Sequence, residues 1–155
     1  MELWDIYNSD RTKANKTMVA GKKFEKDGYH LVVHGCIFNS KGEMLIQQRQ
    51  PFKSGWPNMW DITVGGSAVS GETSQMAIER ELLEELGVKI SFQNVRPYLT
   101  INFDGGFDGI YLLEKEMDLD DLVLQYGEVQ RVKWATLDEI FEKLEDGTFI
   151  SYYKS

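Results

Sequence analysis

Residues 66–88 read Gly66-Ser-Ala-Val-Ser-Gly-Glu72-Thr-Ser-Gln-Met-Ala-Ile-Glu-Arg80-Glu-Leu-Leu-Glu-Glu85-Leu-Gly-Val88. The middle of this stretch predicts an α-helix from about Ser74 to Leu86, because its apolar residues recur at helical spacing. Thr73 stands where an N-cap residue is expected, since its hydroxyl can accept from a free backbone N–H. Gly87 stands at the C′ position, where a left-handed backbone is common. The sequence therefore defines both ends of this helix.

The predicted helix carries three carboxylates within an arc of roughly 100°: Glu81, Glu84 and Glu85. An apolar stripe lies beside them and predicts that the helix packs against a core: Ile78, Leu82 and Leu86. Like charges at these spacings destabilise a helix by roughly 0.2–0.5 kcal/mol per pair, and Arg80 is the only cation in the helix. A hard divalent cation such as Mg²⁺ or Mn²⁺ would relieve the repulsion.

The same stretch resembles the Nudix box: Gly, five residues, Glu, seven residues, then Arg-Glu-aliphatic-x-Glu-Glu-x-Gly-aliphatic. Residues 66–88 match every specified position, and a chance match is rarer than roughly one in 10⁷. The resemblance implies an α+β fold, a Nudix-type α/β/α sandwich with a mixed β-sheet and a loop-helix-loop catalytic box. We expect residues 1–155 to form a single domain of this kind.

The resemblance also implies roles for residues of the box. It implies that Glu81, Glu84 and Glu85 bind Mg²⁺, with Mn²⁺ as an alternative, and that Glu81 and Glu84 are catalytic. Glu81 is the best candidate within the box to orient or deprotonate the attacking water, although the base varies in the family and can lie outside the box. Arg80, also assigned to catalysis, resembles the motif arginine that pairs with a box glutamate. Glu72 either does the same or contributes to the metal site.

A further acidic ligand often comes from a loop after the box in proteins that this chain resembles. Glu128, immediately before a predicted strand, is the candidate. Three other loop acids compete with it: Asp118, Asp120 and Asp121.

The residues before the box resemble the branch of the superfamily that includes isopentenyl-diphosphate isomerases. By that resemblance, Arg49 and Lys53 are expected to bind the substrate diphosphate. The isomerase needs a cysteine in the segment aligned with residues 63–66, followed by a histidine, and this chain has neither there. Cys36 lies on a strand that we expect to be buried, where a structural thiol is favoured.

The rest of the chain predicts a sheet with a second helix. Residues 30–38 and 44–49 are expected to form a β-hairpin around the turn at 39–42. Further strands are predicted at 60–64, 88–101, 110–116 and 129–134, with a turn at 104–106 and an amphipathic helix at 137–144. Residues 3–27 receive no assignment. Two histidines four residues apart on a strand, His30 and His34, are roughly 13 Å apart and cannot share one zinc ion.

Composition limits the classes of partner. The net charge of −8 argues against a protein that grips nucleic-acid polymers. No apolar run approaches the roughly 18 residues of a membrane span, and the single cysteine fits a reducing cytoplasm. Residues 1–53 are net basic and residues 54–155 are strongly acidic. This distribution suggests a basic surface that binds an anion next to an acidic cluster that binds a cation. The exposed sheet edges permit a homodimer without requiring one.

Together these features predict an enzyme, a Nudix pyrophosphohydrolase of the cytoplasm. It is expected to use metal to cleave a phosphoanhydride bond in a nucleoside diphosphate derivative or a similar small metabolite. Two alternatives remain: an isopentenyl-diphosphate isomerase-like activity, and a non-catalytic nucleotide- or metabolite-binding domain on the same fold. The substrate itself is not encoded in any motif, because one scaffold serves many activities.

Overall fold

The computed structural model describes residues 1–152. Within that range the strands are β1 (Leu3–Tyr7), β2 (Lys13–Val19), β3 (His30–Phe38), β4 (Met44–Arg49), β5 (Trp60–Asp61), β6 (Val64–Ser67), β7 (Leu99–Phe103), β8 (Gly106–Glu114) and β9 (Val129–Ala135). The helices are α1 (Ser74–Leu86) and α2 (Leu137–Asp146), with a short 3-10 turn at Leu119–Asp121. This is the mixed-sheet α+β architecture that the sequence predicts.

The main sheet has seven strands and a mixed direction. Its central order is β5-β4-β3-β8-β7, with β6 beside β3 and β9 beside β4. Strands β3 and β8 run parallel, and the other pairings are antiparallel. Strands β1 and β2 form a separate hairpin, which is attached to the start of β3 through a bridge between Tyr7 and Tyr29.

The two helices cover opposite faces of the sheet. Neighbouring residues of a strand point to opposite faces, and on β4 Leu45 packs into the core beneath α1 while Ile46 packs with Ile140 of α2. On β3, Gly35 approaches α1 so closely that an added Cβ would lie 3.0 Å from Ile78. Helix α1 therefore sits on one face, and α2 sits on the other.

Helix α1 has the predicted bounds because its ends are fixed locally. The Thr73 side chain accepts a hydrogen bond from the backbone N–H of Met76. Gly87 adopts φ 69°, and its N–H donates to the last turn of the helix. Strands β3 and β4 also have the predicted bounds.

The predicted hairpin of β3 and β4 is confirmed, but its pairing is short. The two strands pair only at Phe38 and Met44, next to the turn, because β6 occupies the rest of that edge of β3. The strand predicted at 88–101 is wrong over residues 88–98, and Leu99–Phe103 pairs with β8. Apolar side chains of residues 88–98, such as Phe92, instead fill the core beneath α1.

The N-terminal hairpin formed by β1 and β2 received no assignment, because a mainly apolar β1 is followed by a mainly polar, exposed β2 and the two share no pattern. Within residues 1–152, no helix has the length and apolar character that crossing a membrane requires.

Thr63 holds the sheet together where β3 and β4 separate. Residues 60–64, predicted as one strand, contain the whole of β5 and the first residue of β6, and Thr63 lies fully buried between the two strands. Its hydroxyl accepts from the backbone N–H of Ile37 at 2.9 Å and donates to the carbonyl of Leu45. The backbones of two diverging strands therefore share one side-chain hydroxyl.

We expect Thr63→Val to lower the free energy of unfolding by about 1–3 kcal/mol, because it leaves a buried N–H and a buried carbonyl unpaired. Urea denaturation of the wild type and the variant measures this difference. Thr17→Val, the same change at an exposed position of β2, is the matched control and should stay within about 0.5 kcal/mol. Equal effects at both positions would contradict the bridging role.

Candidate active site

Arg80 binds the loop before α1 to the helix itself. Its Nε and Nη2 donate to the two carboxylate oxygens of Glu72 at 2.7 and 3.1 Å. Nη2 also donates to the carbonyl of Ser67 at the end of β6. Glu72 in turn accepts from the backbone N–H of Val69. One guanidinium therefore joins the end of β6, the loop before α1 and α1 itself. The hydrogen bond to Glu72 raises the pKa of Arg80.

Glu81 is buried where α1 meets β6. Its carboxylate lies against Gly66, where an added Cβ would be 2.6 Å from the Glu81 Cδ. Its Oε1 accepts from Arg80 Nη1 at 2.9 Å. Burial raises the pKa of Glu81 despite the nearby guanidinium, and the charge of Glu84 adds to this effect. Position 66 must therefore lack a side chain for Glu81 to occupy this place.

Glu85 is the most strongly perturbed carboxyl of the site. Burial, followed by the charges of Glu81, Glu128 and Asp61, raises its pKa to about 8, against the opposing effect of a hydrogen bond from Gln47. That bond joins Gln47 Nε2 to Glu85 Oε2 at 2.8 Å. The electrostatic coupling brings Glu81, Glu85 and Glu128 into one acidic cluster.

Glu84 lies at the open side of the cluster. Half of its side chain is exposed, and its Oε2 accepts from Arg80 Nη1 at 3.3 Å. Arg80 therefore contacts three box glutamates at once: Glu72, Glu81 and Glu84.

Lys53 and Arg49, the two cations predicted to bind the diphosphate, lie beside the segment that carries Glu128. Lys53 Nζ forms an ion pair with Glu128 Oε2 at 2.6 Å. Arg49 pairs with Val129 in the sheet, and its Nε donates to the carbonyl of Gly55. The segment before Glu128 packs on the end of α1, where the N–H of Gln125 donates to the carbonyl of Glu85.

The competing loop acids lie elsewhere. Asp118, Asp120 and Asp121 belong to the exposed 3-10 turn, where Asp118 caps the N–H of Asp120.

The donor set fits a hard divalent cation in its chemistry. Within residues 1–152, no three His, Cys, Asp or Glu side chains already stand in a metal-holding arrangement. Arg80, Gln47 and Lys53 each engage one carboxylate oxygen of Glu81, Glu85 and Glu128, respectively. Buried carboxyls with raised pKa values are nevertheless groups that a cation would stabilise. The residues that would hold it are Glu81, Glu84, Glu85 and Glu128.

Two residues of the site were missed by sequence reasoning. Gln47 bridges the Thr63 carbonyl and the Glu85 carboxylate with one amide. Asp61 pairs with Gln47 in the sheet register and accepts from the Tyr152 hydroxyl at 2.7 Å. Neither belongs to a local motif, so only the pairing of β4 with β5 could have revealed them.

A family model described as the NUDIX domain matches residues 28–153. An uncharacterized Nudix hydrolase of Listeria innocua is 45% identical over 153 residues, covering 99% of this chain and 90% of that protein. An isopentenyl-diphosphate Delta-isomerase of Shigella flexneri is 39% identical over 62 residues, covering only 40% of this chain and 34% of that protein.

A solved structure shares the fold. The crystal structure of a Deinococcus radiodurans protein superposes with a TM-score of 0.79 at 24% identity, covering 96% of this chain and 91% of that one. At this identity the similarity concerns the fold alone.

The raised pKa of Glu85 predicts how the metal-free protein responds to pH. A folded pKa of about 8 exceeds the ordinary 4.5, so the folded state binds the extra proton between these values. The free energy of unfolding should therefore fall as pH rises from about 5 to about 8. Urea denaturation in a chelator measures this slope.

Glu85→Gln is the control, because it removes the titrating group and should flatten that part of the pH dependence. Added Mg²⁺ should stabilise the wild type more at pH 9 than at pH 6, since a ligand carboxyl must lose its proton to bind. An unchanged slope in Glu85→Gln would show that another group is responsible.

Proposed function

The chain belongs to the Nudix hydrolase family, and from this premise we propose that it cleaves a phosphoanhydride bond in a nucleoside diphosphate derivative or similar small metabolite, using a divalent cation. The observation that carries the proposal is the acidic cluster at α1. Glu81 and Glu85 are buried, Glu84 lies half exposed at their open side, and Arg80 contacts Glu81 and Glu84. Buried carboxylates carry a desolvation cost, which a divalent cation bound between them would offset.

The proposed metal ligands are Glu81, Glu84, Glu85 and Glu128. A bound Mg²⁺ or Mn²⁺ would supply charge neutralisation for the diphosphate and would lower the pKa of the attacking water. The exposed side of Glu84 faces solvent, so this carboxylate is the one that substrate reaches first. Glu85 is deeper, and Gln47 orients it through one of its oxygens.

In this proposal, a carboxylate of the chain accepts the proton that the attacking water releases. Glu81 is the proposed base within the box, because burial raises its pKa and so increases its affinity for the proton released by water. Arg80 holds the Glu81 carboxylate through Oε1. We assign Arg80 a positioning role, since all its hydrogen bonds go to protein atoms of the box.

The proposed contacts for the diphosphate are Lys53 and Arg49. Lys53 forms its ion pair with Glu128, so an incoming diphosphate would compete with that carboxylate for the ammonium. Release of Glu128 from Lys53 would in turn free its oxygens for the cation. Binding of the anion and of the metal would therefore support each other at this loop.

The isomerase alternative is disfavoured by two side chains. The hydroxyl of Thr63, within the segment where that enzyme needs a cysteine, is buried and bonded to backbone on both sides. Burial raises the pKa of the Cys36 thiol to about 12, so it is a poor source of thiolate near neutral pH. The partial similarity to isomerases covers too little of the chain to outweigh this.

We expect Glu84→Gln to reduce Mg²⁺-dependent hydrolysis by at least about 100-fold, because it removes a charged ligand while keeping the shape. Mass spectrometry of a panel of nucleoside diphosphate derivatives, nucleotide sugars, dinucleotides and isopentenyl diphosphate measures the products. Glu79→Gln is the matched control on the same helix. Glu79 accepts from the Phe92 backbone, outside the acidic cluster, and an amide oxygen can replace it there.

Equal losses in Glu84→Gln and Glu79→Gln would argue against the metal cluster. Turnover of isopentenyl diphosphate at constant mass with a shifted double bond would instead support the isomerase. Tight, metal-dependent binding of a ligand without turnover would support the non-catalytic alternative.

A further inference from the structure

A pocket of about 620 Å³ lies on the face of the sheet opposite α1. On β3, alternate residues point away from the helix into this pocket: Val32, His34 and Cys36. The opposite wall comes from β7 and β8, and Tyr152 and Ile62 close the side nearest α2. This size is typical of a pocket that encloses a small organic ligand.

The walls of the pocket are mainly hydrocarbon: Val32, Ile62, Ile101, Phe103 and Ile110. Within residues 1–152, no lysine or arginine lines it. A second phosphate or a carboxylate group would therefore find no cation here. The pocket is suited to a neutral, largely apolar group.

One polar pair interrupts these walls. His34 Nδ1 and Asp108 Oδ2 lie 2.5 Å apart, and both side chains are largely buried. A carboxylate that accepts from Nδ1–H fixes the ring orientation and leaves Nε2 for a ligand. Burial lowers the pKa of His34, but the hydrogen bond and charge of Asp108, together with Asp61, raise it above its ordinary value.

Two buried polar atoms of the pocket residues point to a missing partner. Within the described residues, His30 Nδ1 and Asp108 Oδ1 have no hydrogen bond. His30 is 8% exposed and is surrounded by the rings of Trp4, Phe24 and Phe103. Buried polar atoms are rarely left unpaired, so the polar end of this pocket is incomplete in the protein alone.

The pocket communicates with the acidic cluster across β6. Within residues 1–152, β6 pairs only with β3, so its other edge is free. Gly65 and Gly66 are consecutive on it: an added Cβ would lie 2.7 Å from His34 Nε2 at the first and 2.6 Å from Glu81 Cδ at the second. The absence of both side chains brings a pocket residue and a cluster residue to the two faces of one edge strand.

Asp61 connects the same two regions electrostatically. Its charge acts on Glu85 in the cluster and on His34 in the pocket. Such effects require proximity, because charge interactions weaken with distance. The cluster and the pocket therefore adjoin at Asp61 and β6, and a ligand with its diphosphate at the cluster would reach the pocket by passing over β6.

We propose that this pocket binds the organic group of the diphosphate substrate, that this group is neutral and mainly apolar, and that its one polar atom hydrogen-bonds to His34. The inference rests on the proposed function, because the diphosphate anchors the ligand. In this proposal His34 contacts the organic group and so determines specificity, and Asp108 positions the His34 ring. Diphosphates that carry polyhydroxylated sugars or doubly charged groups are expected to be poor substrates.

The test uses histidine resonances as reporters. The chain has two histidines, and both line the pocket. Histidine-labelled protein with Mg²⁺ is titrated with methylenediphosphonates, whose P–C–P bridge cannot be hydrolysed, bearing methyl, benzyl, 3-hydroxybenzyl or hexosyl groups. We expect the benzyl and 3-hydroxybenzyl compounds to shift both histidine signals and to bind at least about tenfold more tightly than the methyl and hexosyl compounds.

The added hydroxyl tests the His34 contact. It should improve affinity several-fold in the wild type, and this gain should vanish in His34→Phe. Should that variant fail to fold, Asp108→Asn serves instead: it keeps the shape but weakens the hold on the ring, so the gain should fall. Phe52→Ala is the control, since Phe52 forms an exposed ring pair with Tyr126 outside the pocket, and the hydroxyl gain should survive it.

Binding of the benzyl compound with unmoved histidine signals, or a loss of benzyl affinity in Phe52→Ala, would overturn the proposal. A hydroxyl gain that persists in His34→Phe or is unchanged in Asp108→Asn would also overturn it. Hydrolysis of methyl diphosphate separates the two proposals. Hydrolysis without histidine shifts rejects the pocket alone, and histidine shifts without hydrolysis of any matching diphosphate reject the proposed function alone.

Discussion

The ion pair between Arg80 and Glu72 is the interaction on which the arrangement of the site depends. It joins the loop after β6 to the middle of α1, and the same guanidinium reaches Ser67, Glu81 and Glu84. Glu72 is buried, so removal of Arg80 would leave its carboxylate without an ion pair and would destabilise the fold. The box arginine therefore does more than balance charge: it sets the angle at which the carboxylates approach the sheet.

A second constraint follows from the separation of β3 and β4. Because β6 takes the edge of β3 that a simple hairpin would have used, the sheet opens beside β6. At this opening the Thr63 hydroxyl accepts from the backbone N–H of Ile37, and the Gln47 amide donates to the Thr63 carbonyl. The same amide also donates to the Glu85 carboxylate. The opening is thus held by buried hydrogen bonds, and it gives the cluster and the pocket a common border.

The sequence predicted well what is local. Helix α1 has its predicted ends because Thr73 and Gly87 act within one turn of the helix, and β3 is recognisable from its continuous apolar run. The β1–β2 hairpin was missed because its two strands share no common pattern: β1 is mainly apolar with Ile6 and Tyr7 buried, whereas β2 is mainly polar and exposed. The His34–Asp108 pair was invisible because it depends on the parallel register of β3 and β8, 74 residues apart in the chain.

The acidic cluster and the pocket lie on opposite faces of the sheet, and this separation affects how substrate specificity can change. The carboxylates sit on one helix and are fixed by Arg80, whereas the pocket walls come from β3, β7, β8 and the segment after α2. Changes to the pocket walls leave the Arg80 network intact, so a new organic group can be accommodated without rebuilding the acidic cluster. Asp61 is the exception, since its charge acts on both regions. A change at that position would alter binding of the organic group and protonation of Glu85 together.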